Sequence, residues 1–252
     1  MRLLAVLALL PLPAQALELE LTGFYDLNNP ASLDYDPDFC GLWIANEGPE
    51  LVLVTLEGDE LRRFGSGLSR IKAVALEDQH LLVADGFGNL QRLTKAGEPM
   101  AAPFPAGPGF MDNEGLAIDG DGTLISVEDD PAYITWMTPD GDILRRIDGT
   151  DIEPPMTEPQ GIARDPRTGH LLIVDDWEGT NSLYEFDAQG TLLATLPLIA
   201  YGRDPEGIAI RPGANQVFMA FDSGRRIASF DYTPTLPPGS DPVAPGGDCV
   251  MF

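Results

Sequence analysis

A short motif recurs along the chain at a fixed interval, and this repeat constrains the fold more than any other feature. The motif is a glycine, then Leu or Ile, then Ala, and it begins at Gly115, Gly161 and Gly207, which are 46 residues apart. Two weaker copies precede these three, KAVALEDQHLLVADGFG from Lys72 and ASLDYDPDFCGLWIANEG from Ala31. The chain therefore contains five units of about 41–46 residues each.

Each unit contains four short segments of alternating apolar and polar residues, separated by turns rich in Asp, Gly and Pro. In the third unit these segments are GLAID, TLISV, YITWMT and DILRRI. Alternation over four to eight residues between such turns is typical of β-strands. Four strands in a repeat of this length form one blade of a β-propeller. The sequence thus predicts an all-β, five-bladed propeller.

The fifth unit ends after its third strand, RIASFDY, because the Pro- and Gly-rich tail at 236–252 is unsuited to a strand. Segment 17–29 begins with the alternating pattern LELEL and has no unit of its own. We expect it to form the outer strand of the last blade, closing the ring of residues 30–235. A six-bladed ring, in which this strand and the tail make an extra blade, is the alternative.

The N-terminal segment 1–16 has the pattern of a signal peptide. It contains Arg2, an apolar run and the sequence AQA, which predict cleavage after Ala16 and a periplasmic or secreted protein. No later segment has the ~20 apolar residues of a membrane-spanning helix, so we expect no membrane insertion after cleavage. In an exported protein, Cys40 and Cys249 are expected to form a disulfide, because the predicted blade order brings both to the same face of the ring.

The composition is strongly acidic, with 40 Asp and Glu residues against 15 Lys and Arg residues and a net charge of −25. Such a surface repels nucleic acids and anionic membranes, which are themselves polyanions. It attracts cations. We therefore expect a monomer whose partner is a small molecule or an extracytoplasmic protein, with no nucleic-acid partner.

The order of strands within a blade predicts where the acids lie. The first strand of a blade lines the central channel and the second returns antiparallel to it, so the start of strand one and the end of strand two share one face, here called the top face. Many acidic residues fall at these two places. They are Glu47, Asp85, Asp112, Glu114, Glu128, Asp129, Asp130, Glu158, Asp175, Asp176, Asp204, Glu206 and Asp222.

Crowded carboxylates repel one another, and a hard cation relieves that repulsion. Calcium takes six to eight oxygen ligands, so we predict a calcium site on the top face. The predicted ligands are Glu114, Asp129, Asp175 and Glu206. The alternative for each acid is a structural role, in which it accepts hydrogen bonds from backbone N–H groups at a strand end. Residues predicted to contact a further ligand are Gln160, Trp177, Arg203 and Arg225.

The sequence contains few residues on the top face that could act as catalysts. His80 and His170 both begin a second strand and are therefore expected on the bottom face, so a Ser-His-Asp triad at the channel mouth is not expected. Acid–base catalysis would have to use carboxylates, and Glu114 and Glu206 are the candidates.

The units NEGLAI, PQGIAR and PEGIAI resemble the inner strands of NHL-like propellers. The pairing of EGLAIDGDGTLISVEDD with EGIAI resembles the exported SdiA-regulated family and the related phytase-like (esterase-like) propellers. The resemblance to the SdiA-regulated family implies an exported propeller with no established reaction, and the phytase-like resemblance implies calcium-assisted phosphate-ester hydrolysis.

A third resemblance, to gluconolactonase-like propellers, implies one divalent metal held by acids and an Asn from different blades.

Because the top face is acidic and no histidine is expected there, the expected function is a calcium-binding propeller acting as a binding or scaffold module. The alternative is a metal-dependent hydrolase of phosphate esters or lactones.

Overall fold

Twenty strands form five four-stranded antiparallel sheets in the computed structural model, which describes residues 15–247 and residue 249. The first strand, β1 (Glu18–Asp26), belongs to the last sheet. Blade 1 contains β2 (Ser32–Asp36), β3 (Gly41–Ala45), β4 (Glu50–Thr55) and β5 (Glu60–Gly65). Blade 2 contains β6 (Ala73–Glu77), β7 (His80–Ala84), β8 (Asn89–Thr94) and β9 (Phe104–Pro105).

The remaining blades follow the same order. Blade 3 contains β10 (Asn113–Ile118), β11 (Leu124–Glu128), β12 (Tyr133–Met137) and β13 (Ile143–Asp148). Blade 4 contains β14 (Pro159–Arg164), β15 (Leu171–Asp175), β16 (Ser182–Phe186) and β17 (Leu192–Pro197). Blade 5 contains β18 (Pro205–Arg211), β19 (Gln216–Phe221), β20 (Arg226–Thr233) and β1. Three single-turn 3₁₀ helices occupy Gly149–Asp151, Pro212–Ala214 and Asp222–Gly224.

The N-terminal strand closes the ring as predicted. Strand β1 pairs antiparallel with β20, with Glu18 opposite Thr233 and Asp26 opposite Arg226. The residues that the structure describes form five sheets, so the five-bladed prediction is confirmed over the six-bladed alternative.

The core consists of five hydrophobic clusters, and each cluster lies between two neighbouring blades. Between blades 4 and 5, for example, Leu172 and Val174 pack against Met219 and Phe230, and all four are fully buried. Each sheet therefore buries both faces, which explains the near-continuous apolar second strands such as LLIVD. Burial of this apolar surface is the main force holding the blades together.

The predicted disulfide is present on the bottom face. Cys40 lies in the turn before β3 and is bonded to Cys249, with the two Cα atoms 5.4 Å apart. The tail approaches the ring nearby, where the backbone N–H of Gly246 donates to the carbonyl of Pro212 at 3.0 Å.

Residues 1–14 of the predicted signal peptide lie outside the described residues, and Gln15 pairs with Leu236 in an isolated bridge. No helix within the described part of the chain is long and apolar enough to cross a membrane.

Candidate cation site on the top face

Three inner strands contain a β-bulge at the residue before the repeated glycine. In blade 3, Asn113 pairs with Glu128 and Gly115 with Val127, so Glu114 is an extra residue. Gln160 is the extra residue in blade 4, and blade 5 has an irregularity of the same size between Pro205 and Ile208. A bulge redirects a side chain that regular pairing would fix. Here it presents Glu114, Gln160 and Glu206 at the channel mouth.

The glycine of the motif is explained by the close approach of neighbouring inner strands. A Cβ atom on Gly115 would lie 2.6 Å from the carbonyl oxygen of Gln160 in the next blade. The same atom on Gly161 would lie 2.5 Å from the carbonyl oxygen of Glu206, and on Gly207 it would lie 2.0 Å from that of Ala31. These distances leave no room for a side chain. The Glu-Gly and Gln-Gly pairs thus combine a channel-facing polar side chain with a tight contact between blades.

A lysine from blade 2 occupies the equivalent position in the ring. Lys72 Nζ lies 2.6 Å from Glu114 Oε2 and 2.9 Å from Glu47 Oε1. Burial lowers the pKa of Lys72, but its ion pairs with Glu114 and Glu47 outweigh that effect and raise it above its ordinary value. The ammonium group therefore stays charged and neutralises part of the acidic mouth.

Three carboxylates from two adjoining segments meet beside this lysine: Asp112, Glu114 and Asp129. One oxygen from each lies within 4.8 Å of the others. Asp112 is in the loop before β10, and Asp129 follows β11. Their proximity follows from the sheet order, which places the start of an inner strand beside the end of the second strand. We refer to these three residues as the blade-3 acid cluster.

The electrostatics of this cluster are unfavourable for three anions. Burial raises the pKa of Glu114 to about 7, although Lys72 opposes the shift. Burial and the neighbouring carboxyl group of Asp112 raise the pKa of Asp129 to about 6. Asp129 Oδ2 accepts a hydrogen bond from Gln160 Nε2 at 3.4 Å, whereas its buried Oδ1 has no hydrogen-bond donor. An acceptor atom buried without a partner is costly unless something else occupies the space beside it.

A second acid cluster lies farther along the top face, in blades 4 and 5. It contains Asp176, Glu178 and Asp204, again with one oxygen of each within 4.8 Å of the others. Burial raises the pKa of Asp176 to about 7, against backbone hydrogen bonds that lower it. The guanidinium of Arg203 stacks on the ring of Trp177 at 4.2 Å, and Trp177 is 45% exposed. The predicted ligand contacts Trp177 and Arg203 therefore lie side by side near this cluster.

Glu206 lines a cavity of about 120 Å³ at the channel mouth. Its neighbours there include Lys72, Gln160 and Asp222. Glu206 takes part in no hydrogen bond or ion pair with the residues that the structure describes. Burial, with the nearby charges of Asp204 and Glu114, raises the pKa of Glu206 to about 8. Its carboxyl group is therefore largely protonated at neutral pH and faces the cavity.

Other acids of the predicted ring have structural roles. Asp175 is fully buried and accepts hydrogen bonds from the backbone N–H groups of Thr157, Glu158 and Thr180 at 3.0, 2.7 and 2.6 Å, and one from the Thr180 hydroxyl at 2.7 Å. Glu128 accepts from the backbone N–H of Met111 in the loop before β10, and Asp85 accepts from the backbone N–H groups of Phe87 and Asn89 in its own loop. Such acids satisfy the backbone of tight loops at the strand ends.

The structure thus brings together four of the residues predicted for the site: Glu114, Asp129, Gln160 and Glu206. Asp175 uses its oxygens for the loop of blade 4, and Arg225 lies at the outer edge of blade 5, where its carbonyl accepts from Leu27 N–H. The sequence predicted a top-face position for Asp112, but it indicated no role in cation binding for either Asp112 or Lys72. In the sequence, Asp112 lies two residues before Glu114, and Lys72 lies one residue before Ala73. Their positions at the start of an inner strand could have indicated such a role.

Comparisons with known proteins identify the fold. A glutaminyl cyclase from Myxococcus xanthus is similar, with TM-score 0.67 and 14% identity over 90% of this chain and 100% of that chain. A virginiamycin B lyase from Staphylococcus aureus matches with TM-score 0.51 and 17% identity, over 82% of this chain and 66% of the lyase. The β-propeller domain of Cps50 (Swd1) from Myceliophteria thermophila matches with TM-score 0.55 and 10% identity, over 85% and 99% of the two chains.

No family model and no curated protein matches the sequence. Likeness at such low identity concerns the fold and not the activity. On this basis and on its sheet order, the chain is a five-bladed β-propeller.

Proposed function

We propose that the top face binds a divalent cation, calcium, through the blade-3 acid cluster, and that the protein acts as an exported binding module. The observation that carries this proposal is the convergence of Asp112, Glu114 and Asp129, together with the buried Asp129 Oδ1, which has no hydrogen-bond donor. A calcium ion prefers oxygen ligands and would supply a positive charge that stabilises the ionised forms of the buried Glu114 and Asp129 carboxyl groups.

The surrounding residues suit such an ion. Lys72 occupies Glu114 Oε2, which leaves Glu114 Oε1 for coordination. The side-chain amide of Gln160 already approaches Asp129 and would present its oxygen to the ion after a simple flip. Water would complete a shell of six to eight oxygens. Calcium binding would then join blades 3 and 4 at the channel mouth.

Calorimetric titration of the purified protein with calcium tests the proposal. We expect one site, and we expect Asp129→Asn to weaken binding at least tenfold because it removes one ligand charge. Asp140→Asn is the matched control, since Asp140 is an exposed acid in the turn between β12 and β13 on the bottom face. Absence of binding at millimolar calcium, or equal affinity in both variants, would contradict the proposal.

Export is part of the same proposal. The N-terminal pattern supports it, and so does the Cys40–Cys249 disulfide, because such bonds persist in the periplasm and outside the cell. Sequencing the N-terminus of the protein recovered from the cell envelope or medium checks this, with Leu17 as the expected first residue.

A second candidate function rests on Glu206. A carboxyl group with a pKa near neutrality, facing a cavity beside a lysine, is suited to general acid–base catalysis. This favours the alternative of a metal-dependent hydrolase of phosphate esters or lactones. Hydrolysis assays on aryl phosphates and simple lactones test it. Activity lost in Glu206→Gln but kept in His170→Ala would establish the top face as the reaction site.

A further inference from the structure

The bottom half of the central channel contains a second and larger cavity. It has a volume of about 290 Å³ and is lined by inner-strand residues of all five blades. The apolar part of its walls is formed by Leu76, Leu116, Ile118, Ile162 and Ile210, and Asp34 and Arg164 belong to the polar part. A concave, apolar site of this size with few polar groups is the usual form of a small-molecule site.

One carboxylate lies in this apolar wall. Asp34 is in the middle of β2, and its oxygens accept hydrogen bonds from two backbone N–H groups, that of Leu76 at 2.6 Å and that of Tyr35 at 2.8 Å. These bonds fix the carboxyl group at the wall. Burial raises the pKa of Asp34 to about 7, in spite of the two donors. The surroundings of the Asp34 carboxyl group therefore disfavour its ionised form.

Asp34 has no cationic partner among the described residues. Lys95 of blade 2 is bound to Asp36 and Asp38 at 2.9 and 2.6 Å. Arg164 lines the cavity, but its guanidinium is paired with Asp119 at 2.7 Å. The cavity thus contains a carboxyl group that forms no ion pair with a described residue. It lies among Leu and Ile side chains and shares the cavity with Arg164, whose Nε is buried without an acceptor.

From this arrangement we infer that the bottom cavity binds a small apolar molecule carrying one primary ammonium group. The ammonium would pair with Asp34, and the apolar part would fill the space between Leu116, Ile162 and Ile210. A charge-assisted hydrogen bond in a low-dielectric site is stronger than the same bond in water, which favours an amine over a neutral analogue of the same shape. The proposal does not depend on the cation site of the top face.

The rim of the cavity is formed in part by Gly247 of the C-terminal tail. The tail is fixed near the channel by the Cys40–Cys249 disulfide and by the contact of Gly246 with Pro212. The disulfide therefore also shapes the entrance that a ligand would use.

The test compares 2-phenylethylamine with its neutral analogue 2-phenylethanol, using the purified protein at neutral pH. Titrations followed by calorimetry should show the amine binding at least tenfold more tightly than the alcohol. Asp34→Asn should reduce amine affinity at least tenfold and change alcohol affinity less than twofold. Asp140→Asn is the matched control because it makes the same change at an exposed bottom-face acid outside the cavity lining, and it should leave amine affinity unchanged.

Methyl NMR of the unaltered protein locates the ligand even if Asp34→Asn fails to fold. The amine should shift the methyl resonances of Leu116 and Ile162. Equal affinity for amine and alcohol, no binding at millimolar amine, or loss of amine binding in Asp140→Asn would each overturn the inference. Shifts confined to the top face would do the same.

Discussion

Residues of one chemical type perform different tasks on the top face, and their partners decide which task. Asp175 is saturated by four hydrogen bonds, Asp129 keeps one buried oxygen without a donor, and Glu206 faces a cavity with no partner in the described residues. The sequence predicted that all three lie on the same face. It did not separate their roles, because each role depends on N–H groups from loops whose conformation only the folded chain defines.

A substitution at Lys72 distinguishes a defined calcium site at Glu114 from nonspecific attraction of cations to an acidic surface. Its ammonium group competes with a cation for Glu114, so Lys72→Gln should raise calcium affinity about tenfold by removing a nearby positive charge. Without calcium, the same variant should melt earlier than the original protein, since Glu114 loses its counter-charge. Calorimetry and thermal melting with and without chelator check both effects. An unchanged or weaker calcium affinity would place the ion away from Glu114.

Glu206 makes a separate prediction about pH. Its pKa in the folded chain, about 8, is above that of an ordinary Glu, so the folded state retains a proton that the unfolded state loses. Stability contributed by this group therefore falls as pH rises from about 5 to 8. Glu206→Gln should remove that fall and stabilise the calcium-free protein at pH 8 by about 2 kcal/mol. Urea unfolding at pH 5 and pH 8 measures it, and an identical pH dependence in both proteins would contradict the assignment.

At the scale of the element, the inner strand of each blade both packs against the neighbouring blades and positions residues of the candidate site. The alternating pattern was sufficient to predict each strand, and the 46-residue spacing was sufficient to count the blades. The bulge at Glu114 and Gln160 was not predictable, because it depends on register with the second strand. Strand β9 has only the two residues Phe104–Pro105, since proline in the segment around it limits pairing.

Gly161 provides the test of the inner-strand packing. A methyl group at this position would meet the carbonyl of Glu206 at 2.5 Å, so Gly161→Ala should destabilise the protein by about 3 kcal/mol and weaken calcium binding by moving Gln160. Gly120→Ala is the matched control, because a Cβ there meets no atom within 4 Å. We expect its effect to stay within about 0.5 kcal/mol. Equal effects of the two substitutions in urea unfolding would contradict the close approach of blades.

At the scale of the whole molecule, one hydrogen-bonded strand pairing and one covalent bond close the ring. Strand β1 completes blade 5, and the disulfide links the turn before β3 of blade 1 to the tail that follows blade 5. Both were predictable because a closed ring places the last blade beside the first. The cavity around Asp34 was not, since its walls come from five separated strands whose apolar residues read as ordinary core.

The disulfide closes a loop between residues 209 positions apart. In the chain-entropy model a loop of this length contributes about 5 kcal/mol, and measured values are often smaller. The double variant Cys40→Ser, Cys249→Ser should therefore lose about 2–5 kcal/mol in urea unfolding. Its calcium affinity should be unchanged, because the bond lies on the bottom face and the acid cluster on the top. A large loss of calcium affinity in a folded double variant would show that the two faces are coupled.

The most direct test of the cation site is anomalous diffraction from crystals grown with calcium and measured at a long wavelength. We predict a single strong anomalous peak at about 2.3–2.6 Å from oxygens of Asp112, Glu114 and Asp129, which is the usual distance between calcium and its ligands. A top face without a peak, or a peak found only among Asp176, Glu178 and Asp204, would contradict it.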